Sequence, residues 1–354
     1  MAPFAGNNWE LIELGSYFGF ARQGDGSLWA WGRNHQGQLG VGDTDDRDAP
    51  TALGAGTDWA LLDASIDHVL GLREDGTLWA WGANASGQLG VAAPSSSSVP
   101  LQVDDRTWQA IAAGNSFSLG VLADGTLWAW GSGNDGRLGL VDKIQRSTPT
   151  QVGTDDDWVA VTASDASSYG LRTDGTLWAW GANVSGRLGV GDTDERLEPT
   201  QVGSDNDWAS VRAKGGSAFG QRTDGSWWVW GYAFHGQLGL GDNTNRHAPV
   251  LLVSTQAWSD IHAGPNHAVA RGIDGSLWAW GLNGSGELGL ADLVNRNTPT
   301  RVGTDTGWGL PLASNFFTIA QRDDGTLRFM GANTYGEGGP LRWYVTEPEP
   351  IGAW

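Results

Sequence analysis

The chain of 354 residues has no cysteine, two methionines and only two lysines, Lys143 and Lys214. Without cysteine it forms no disulfide and performs no thiol chemistry. No apolar run is long enough to cross a bilayer as a helix, and no signal-like stretch follows Met1. No window sustains a helical stripe of apolar residues either. Basic residues are scarce: 21 Lys and Arg stand against 40 Asp and Glu, a formal charge of −19. That balance argues against direct binding to nucleic acid or to an anionic membrane and suits a basic protein face, a cation or plain solubility. Little lysine beside abundant aspartate suggests a GC-rich or salt-adapted bacterial source. The expected compartment is the cytoplasm, or the exterior with a leader removed.

Glycine (55) and tryptophan (22) are plentiful, and they recur in order. Asp25-Gly26-Ser27-Leu28-Trp29-Ala30-Trp31-Gly32, or a near copy, returns from Asp75, Asp124, Asp174, Asp224, Asp274 and Asp324, a period of 49 to 50 residues. Each unit opens on a tryptophan: Trp9, Trp59, Trp108, Trp158, Trp208, Trp258 or Trp308. A second segment such as Ser118-Leu119-Gly120-Val121-Leu122 follows. Next come the Asp-Gly turn with its Leu-Trp-Ala-Trp strand, a glycine-rich loop of the form Asn-x-x-Gly-x-Leu-Gly, and a segment at a proline such as Pro149-Thr150-Gln151-Val152. These are four short strands bounded by turn residues, and four such strands cannot bury an apolar face alone. The pattern predicts an all-β, seven-bladed β-propeller with four-stranded antiparallel blades, one domain over residues 1–354. The Asp-Gly pair predicts a type I′ hairpin in every unit.

Alternation puts Trp29 and Trp31 on one face of their strand and Leu28 and Ala30 on the other, large against small, so the recurring tryptophans are read as core. Trp227 and Trp228 in the fifth unit, and Phe329 and Met330 in the seventh, are read as variants of that packing position. Asp and Arg four apart recur after the loop, at Asp43 and Arg47, Asp142 and Arg146, Asp192 and Arg196, Asp242 and Arg246, and Asp292 and Arg296. Each pair is expected to brace its loop by a charge-assisted hydrogen bond. Units two and seven depart from this, with Ala93-Pro94-Ser95-Ser96-Ser97-Ser98 and Glu337-Gly338-Gly339-Pro340, so their loops should be least like the others. Pro3 and Pro350-Ile351-Gly352-Ala353-Trp354 carry fragments of one segment. The expectation is that strands from both termini share a blade, with Trp354 as a clasp.

The repeat resembles that of the regulator of chromosome condensation family of seven-bladed propellers. Asn34 to Gly40, Asn84 to Gly90 and Gly236 to Gly239 match its loop, and the resemblance spans essentially the whole chain. It implies the fold and transfers little function, because the family includes a nucleotide exchange factor, an ultraviolet-B receptor and a β-lactamase inhibitor on mainly structural motifs. Light sensing is disfavoured, since the turns Gly114-Asn115-Ser116-Phe117 and Gly215-Gly216-Ser217-Ala218 lack tryptophan. The resemblance further implies that His267 and Phe117 occupy a turn-bracing position and face inward.

Strand alternation divides the turns between two ends of the ring. One end takes the Asp-Gly hairpins and the acidic segments before each opening tryptophan, among them Asp58, Asp104, Asp155, Asp205 and Asp305. It reads as a solvated acidic face; no Asp-x-Asp-x-Asp-Gly loop with a closing Glu marks calcium. The other end takes the most variable turns. Here Tyr17, Phe18, Arg33, His35, His68, Tyr232, Phe234, His235 and Tyr335 are the candidate partner-binding residues, aromatic groups beside Arg and His of the kind interaction hot spots use. Tyr232, Phe234, His235 and Tyr335 are the foremost patch and are expected to be exposed. Six scattered histidines form no Ser-His-Asp order, metal-ligand cluster or phosphate loop, so neither an enzyme, a cofactor nor a resident metal is expected. The expected function is a scaffold that binds a protein partner through its variable mouth. The alternatives are an enzyme inhibitor resembling the propeller β-lactamase inhibitor, with Phe18, Phe234 and Tyr335 across the mouth, and a propeller that binds a small ligand or cation in its channel.

Overall fold

A computed structural model describes residues 9–54, 56, 58–92, 94–338 and 344–351. Trp354 and Pro3, and with them the proposed clasp, lie outside the described residues, as do Ala93, Gly339 and Pro340. Among the described residues, twenty-eight strands form seven four-stranded antiparallel sheets, each from four strands consecutive in sequence. Blade 1 is Trp9–Leu14, Phe18–Gln23, Leu28–Gly32 and Arg47–Ala52; blade 7 is Trp308–Ala313, Phe317–Arg322, Leu327–Ala332 and Tyr344–Pro350. The first strands of successive blades neighbour one another, so they line the ring axis.

Each sheet among the described residues takes four consecutive strands, and the segments at Pro3 and Trp354 on which the shared terminal blade was expected lie outside them. Blade 7 packs its face on blade 1: Phe317, Ile319, Phe329 and Val345 join Trp9, Leu14, Ala21 and Trp31 in one core. Ser314 Oγ donates to Gly15 O at 2.6 Å and Gln321 Nε2 to Trp9 O at 2.7 Å across this junction.

The large and small strand faces meet between blades as alternation requires. Leu28 and Ala30 pack against Trp59 and Trp81 of blade 2, while Trp29 and Trp31 turn toward blade 7. The second indole of each pair also crosses the seam through its N–H. Trp81 donates to Gln38 O at 2.9 Å, and Trp130, Trp180, Trp230 and Trp280 donate to the matching loop carbonyls of their preceding blades. Trp31 donates to Glu337 O at 3.0 Å. A buried indole N–H without such an acceptor would leave a desolvated donor unsatisfied.

Blade 7 breaks this rule. Its register pairs Ala320 with Arg328 and Thr318 with Met330, where blade 1 pairs Ala21 with Trp29 and Gly19 with Trp31. Arg328 therefore holds the first tryptophan position and Met330 the second, while Phe329 sits on the small face. In blade 5, Trp228 and Trp230 hold the two positions and Trp227 replaces the leucine.

The Asp-Gly hairpins differ in type from the expected I′ turn. Gly26 N donates to Gln23 O at 2.8 Å, and only the glycine takes positive φ (+84° at Gly26), which describes a type I turn followed by a left-handed glycine. The aspartate is occupied otherwise. Asp75 Oδ1 accepts from the Thr77 amide at 2.9 Å and hydroxyl at 2.7 Å, and Thr77 Oγ1 accepts from Trp79 Nε1 at 3.0 Å. These donors hold the Asp75 carboxyl below its usual range. Of the loop braces, Arg47 to Asp43 spans 2.5 Å and Arg146 to Asp142 2.7 Å, and the other three pairs form likewise.

Candidate functional site

The glycine-rich loops and the turns between first and second strands gather at one end of the ring, and the variable residues of blades 7 and 1 come together there. Tyr17 stacks on Phe316 at 5.9 Å and meets Tyr335 edge-on at 5.3 Å. His35 contacts the same Tyr335 ring, and the Arg33 guanidinium lies 5.9 Å from its centroid. Arg33 is fixed by Asp67 at 3.3 Å and His35 by Asp46 at 3.2 Å, so both side chains are tethered beside the aromatic cluster. Beneath it the Glu337 carboxyl accepts from the Tyr335 amide at 2.8 Å. Burial pushes that carboxyl up to about 7, with Asp46 adding to the rise.

Blade 5 supplies a second aromatic group. Tyr232 and Phe234 stack at 6.3 Å with their planes 17° apart, and His235 meets Phe234 edge-on at 5.1 Å. Phe234 is 63% exposed. Between the two groups lies a depression of about 390 Å³, with Tyr232 and Phe316 on its walls beside Arg187, Asn266, Asn315 and Asp165. Tyr335 is half-buried within its cluster and not freely exposed.

Phe18 and His68 do not belong to this surface, which corrects their assignment. Phe18 is fully buried, edge-on to Phe20 at 5.8 Å, and its ring covers Gly15 so closely that a Cβ there would meet it. His68 is buried between Ser65 Oγ at 2.8 Å and Ser118 Oγ at 3.0 Å. The Ser118 hydroxyl donates to Gln88 O, so His68 Nε2 must donate to Ser118, which leaves Nδ1 as the acceptor in a neutral ring. Burial lowers the His68 pKa to about 3. His267 repeats the Nε2 contact, with Thr318 Oγ1 at 2.8 Å, and Phe117 is equally buried. The signal was present in the repeat: Phe18, His68, Phe117 and His267 share one repeat position, so the inward reading of the last two applied to all four.

Charged groups around the axis escaped the sequence reading, because an isolated carboxylate inside a strand has no motif. Glu13, Asp63, Arg212 and His262 occupy one repeat position on their inner strands. Glu13 accepts from the Ala64 amide at 3.2 Å, and Lys214 reaches from blade 5 to Ala64 O in blade 2 at 3.1 Å. Burial pushes the Glu13 carboxyl up to about 8; Asp63 adds to this, and Lys214 opposes it. Arg212 pairs with Asp260 at 3.0 Å, and His262 Nδ1 accepts from the Ala313 amide. Where Lys214 crosses the ring the remaining cavity is about 10 Å³, room for a single water at most.

The opposite end is less bare than an acidic solvated face. Arg106, Arg172, Arg222 and Arg322 reach Asp104, Asp155, Asp205 and Asp305 at 2.5 to 3.3 Å. Among the described residues, no group of three or more His, Cys, Asp or Glu is arranged to hold a metal ion, and no helix is long and apolar enough to cross a membrane.

Residues 3–258 match the family model described as the RCC1-like domain, and residues 274–308 match the regulator of chromosome condensation (RCC1) repeat. No curated protein matches the chain. Among solved structures, yeast RCC1 (Prp20) bound to Kap60 is 19% identical with a TM-score of 0.82, covering 92% of this chain and 83% of that one. Human WBSCR16 is 22% identical with a TM-score of 0.78, covering 89% and 87% respectively. Prp20p from Saccharomyces cerevisiae, described with its binding to Gsp1p and histones, is 20% identical with a TM-score of 0.78, covering 90% and 84%. At these identities the likeness is one of fold. The comparisons run against two expectations. The named relatives are yeast and human proteins, so the bacterial assignment is withdrawn. The cytoplasmic or secreted location expected from composition is likewise withdrawn, since relatives of this fold are described as bound to Kap60 and as binding histones.

Proposed function

Because the chain belongs to the RCC1-like domain family, we propose that it is a protein-interaction scaffold whose partner docks on the variable mouth. The observation that carries this reading is the depression of about 390 Å³ flanked by two aromatic groups, with Phe234 63% exposed on a stacked tyrosine. Exposed aromatic rings held rigid by their neighbours lose little entropy on binding, and tethered guanidinium and imidazole groups beside them supply directed hydrogen bonds. Tyr17, Arg33, His35, Tyr232, Phe234, His235 and Tyr335 form the proposed contact set. Relatives of this fold are described in complexes with Kap60 and as binding Gsp1p and histones. A net charge of −19 favours a basic partner.

The reading is one of binding and not of catalysis. His68 and His267 are neutral core residues held by hydroxyls, and the pairing of Arg212 with Asp260 occupies those groups with each other. The channel alternative is weakened by the approximately 10 Å³ left beside Lys214.

The test compares proteins captured from a lysate of the source organism by the immobilised chain and by its Phe234→Ala/Tyr335→Ala variant. A protein retained by the first and lost by the second, with both chains equally folded, supports the mouth as the working face. Equal capture refutes it. An inhibitor acting through the same face would reveal itself by the identity of the captured enzyme.

A further inference from the structure

Away from the mouth, toward the end that carries the Asp-Gly hairpins, a cavity of about 530 Å³ opens between blades 6 and 7. Trp308, Arg322, Arg328 and Pro348 line it. The equivalent place between blades 1 and 2 is lined, position for position, by Trp59, Arg73, Trp79 and Pro100, and measures about 300 Å³. The substitution that most separates them is Arg328 for Trp79: an indole occupies the site in one seam and a flexible guanidinium in the other.

What the indole does elsewhere defines what the cavity would accept. Arg73 lies between two rings, 5.0 Å from Trp59 and 4.4 Å from Trp79. Arg172 and Arg222 are sandwiched in the same way, with centroid distances of 4.1 to 4.9 Å. Arg322 has Trp308 at 4.5 Å on one side and no described aromatic ring on the other. The hydroxyl that accepts the indole N–H is retained: Thr326 Oγ1 still donates to Asp324 at 2.6 Å, but no tryptophan remains to donate to it. Arg328 makes no hydrogen bond or ion pair to a described residue, although its charge reaches Asp324. Arg301, exposed at the rim, stands where blades 3 and 4 have Gln151 and Gln201. Three guanidiniums line the cavity beside the carboxylates of Asp305 and Glu347, and Asp305 is already paired with Arg322.

We propose that this cavity binds a planar aromatic carboxylate of the indole type. The ring stacks on Arg322 opposite Trp308, its N–H meets Thr326 Oγ1, and its carboxylate is taken by the Arg328 fork. Guanidinium groups stack on aromatic faces and bind carboxylates through paired hydrogen bonds, so both halves of the ligand find their complement. The site is distinct from the proposed partner face and stands or falls separately from it.

The experiment is isothermal titration of the full chain with indole-3-propionate, and with tryptamine, which keeps the ring and replaces the carboxylate by a cation. Saturable binding at one site is expected, with tryptamine weaker by about tenfold or more. Arg328→Trp, which restores the residue of the other six blades, should abolish binding while preserving the near-ultraviolet circular dichroism of the folded ring. Arg328→Gln, which removes the charge without filling the cavity, should weaken indole-3-propionate by about tenfold and leave tryptamine no weaker. No saturable binding by the parent chain, equal affinity for tryptamine, or unchanged affinity in either variant overturns the proposal.

Discussion

Six of the seven seams between blades are closed by one device, and the seam between blades 6 and 7 is closed by another. In the six, an indole pair fills the gap, one ring stacked under an arginine or on its neighbours and the other donating its N–H to a loop carbonyl of the preceding blade. In the seventh, Met330 fills the inner place without a donor and Arg328 leaves the outer place open. Yet the mouth side of that seam keeps its contacts, from His267 to Thr318 and from Thr318 to Glu287 O, the counterpart of His68 to Ser118 between blades 2 and 3. A repeat protein keeps its frame when one interface gives up a packing residue, provided another contact across the same interface persists.

The largest effect that would break this comparison is at the indoles. Trp180→Ala, which empties a fully buried site in a regular seam, is expected to cost about 3–5 kcal/mol in urea denaturation. Met330→Ala in the exceptional seam should cost about 2 kcal/mol, at the low end of the range for its type. Equal losses would mean that the seams are energetically alike despite their composition.

Acid should act on the shared device. His68 and His267 have folded pKa values lowered by burial to about 3 from 6.5. Between those values the unfolded chain binds protons that the folded chain does not, so stability falls as pH falls through this window. At pH 5 each histidine should account for a loss of about 2 kcal/mol relative to neutral pH. The double variant His68→Phe/His267→Phe uses the residue that blades 1 and 3 carry at this position. Its urea midpoint should change much less between pH 7 and pH 5 than that of the parent, and an unchanged acid response would remove the histidines as its source.

Restoring the regular device should have a smaller effect of opposite sign. Arg328→Trp fills the open place, and thermal and urea denaturation should show a gain of about 1 kcal/mol. A loss would show that the seam has closed around the arginine and no longer admits the ring. Smallest of all, Asp142→Ala removes a loop brace whose carboxylate is solvent-facing, with an expected cost below about 1 kcal/mol by the same measurement.

Period, turns and alternation were legible in the sequence because they are properties of local backbone and of neighbouring side chains. An Asp-Gly pair between two apolar segments makes a hairpin wherever it occurs, and seven copies must stack to bury their faces. Local patterning also placed Tyr17, Arg33, His35, Tyr232, Phe234, His235 and Tyr335 at one end of the ring. It did not separate Phe18 and His68 from them, because a residue beside a turn can face either way and only the fit of its ring over Gly15, or between Ser65 and Ser118, decides. Tertiary structure alone brought Lys214 across the axis to Ala64, 150 residues away, and set Glu13 beside Asp63. The repeat itself sets Arg328 four residues after Asp324, as Trp29 stands four after Asp25; what the tertiary structure adds is the open place that the missing indole leaves beside Arg322. What the chain determines by itself is the repeating frame; which side chains are left open at its seams and mouth is settled by contacts between residues that sequence distance keeps apart.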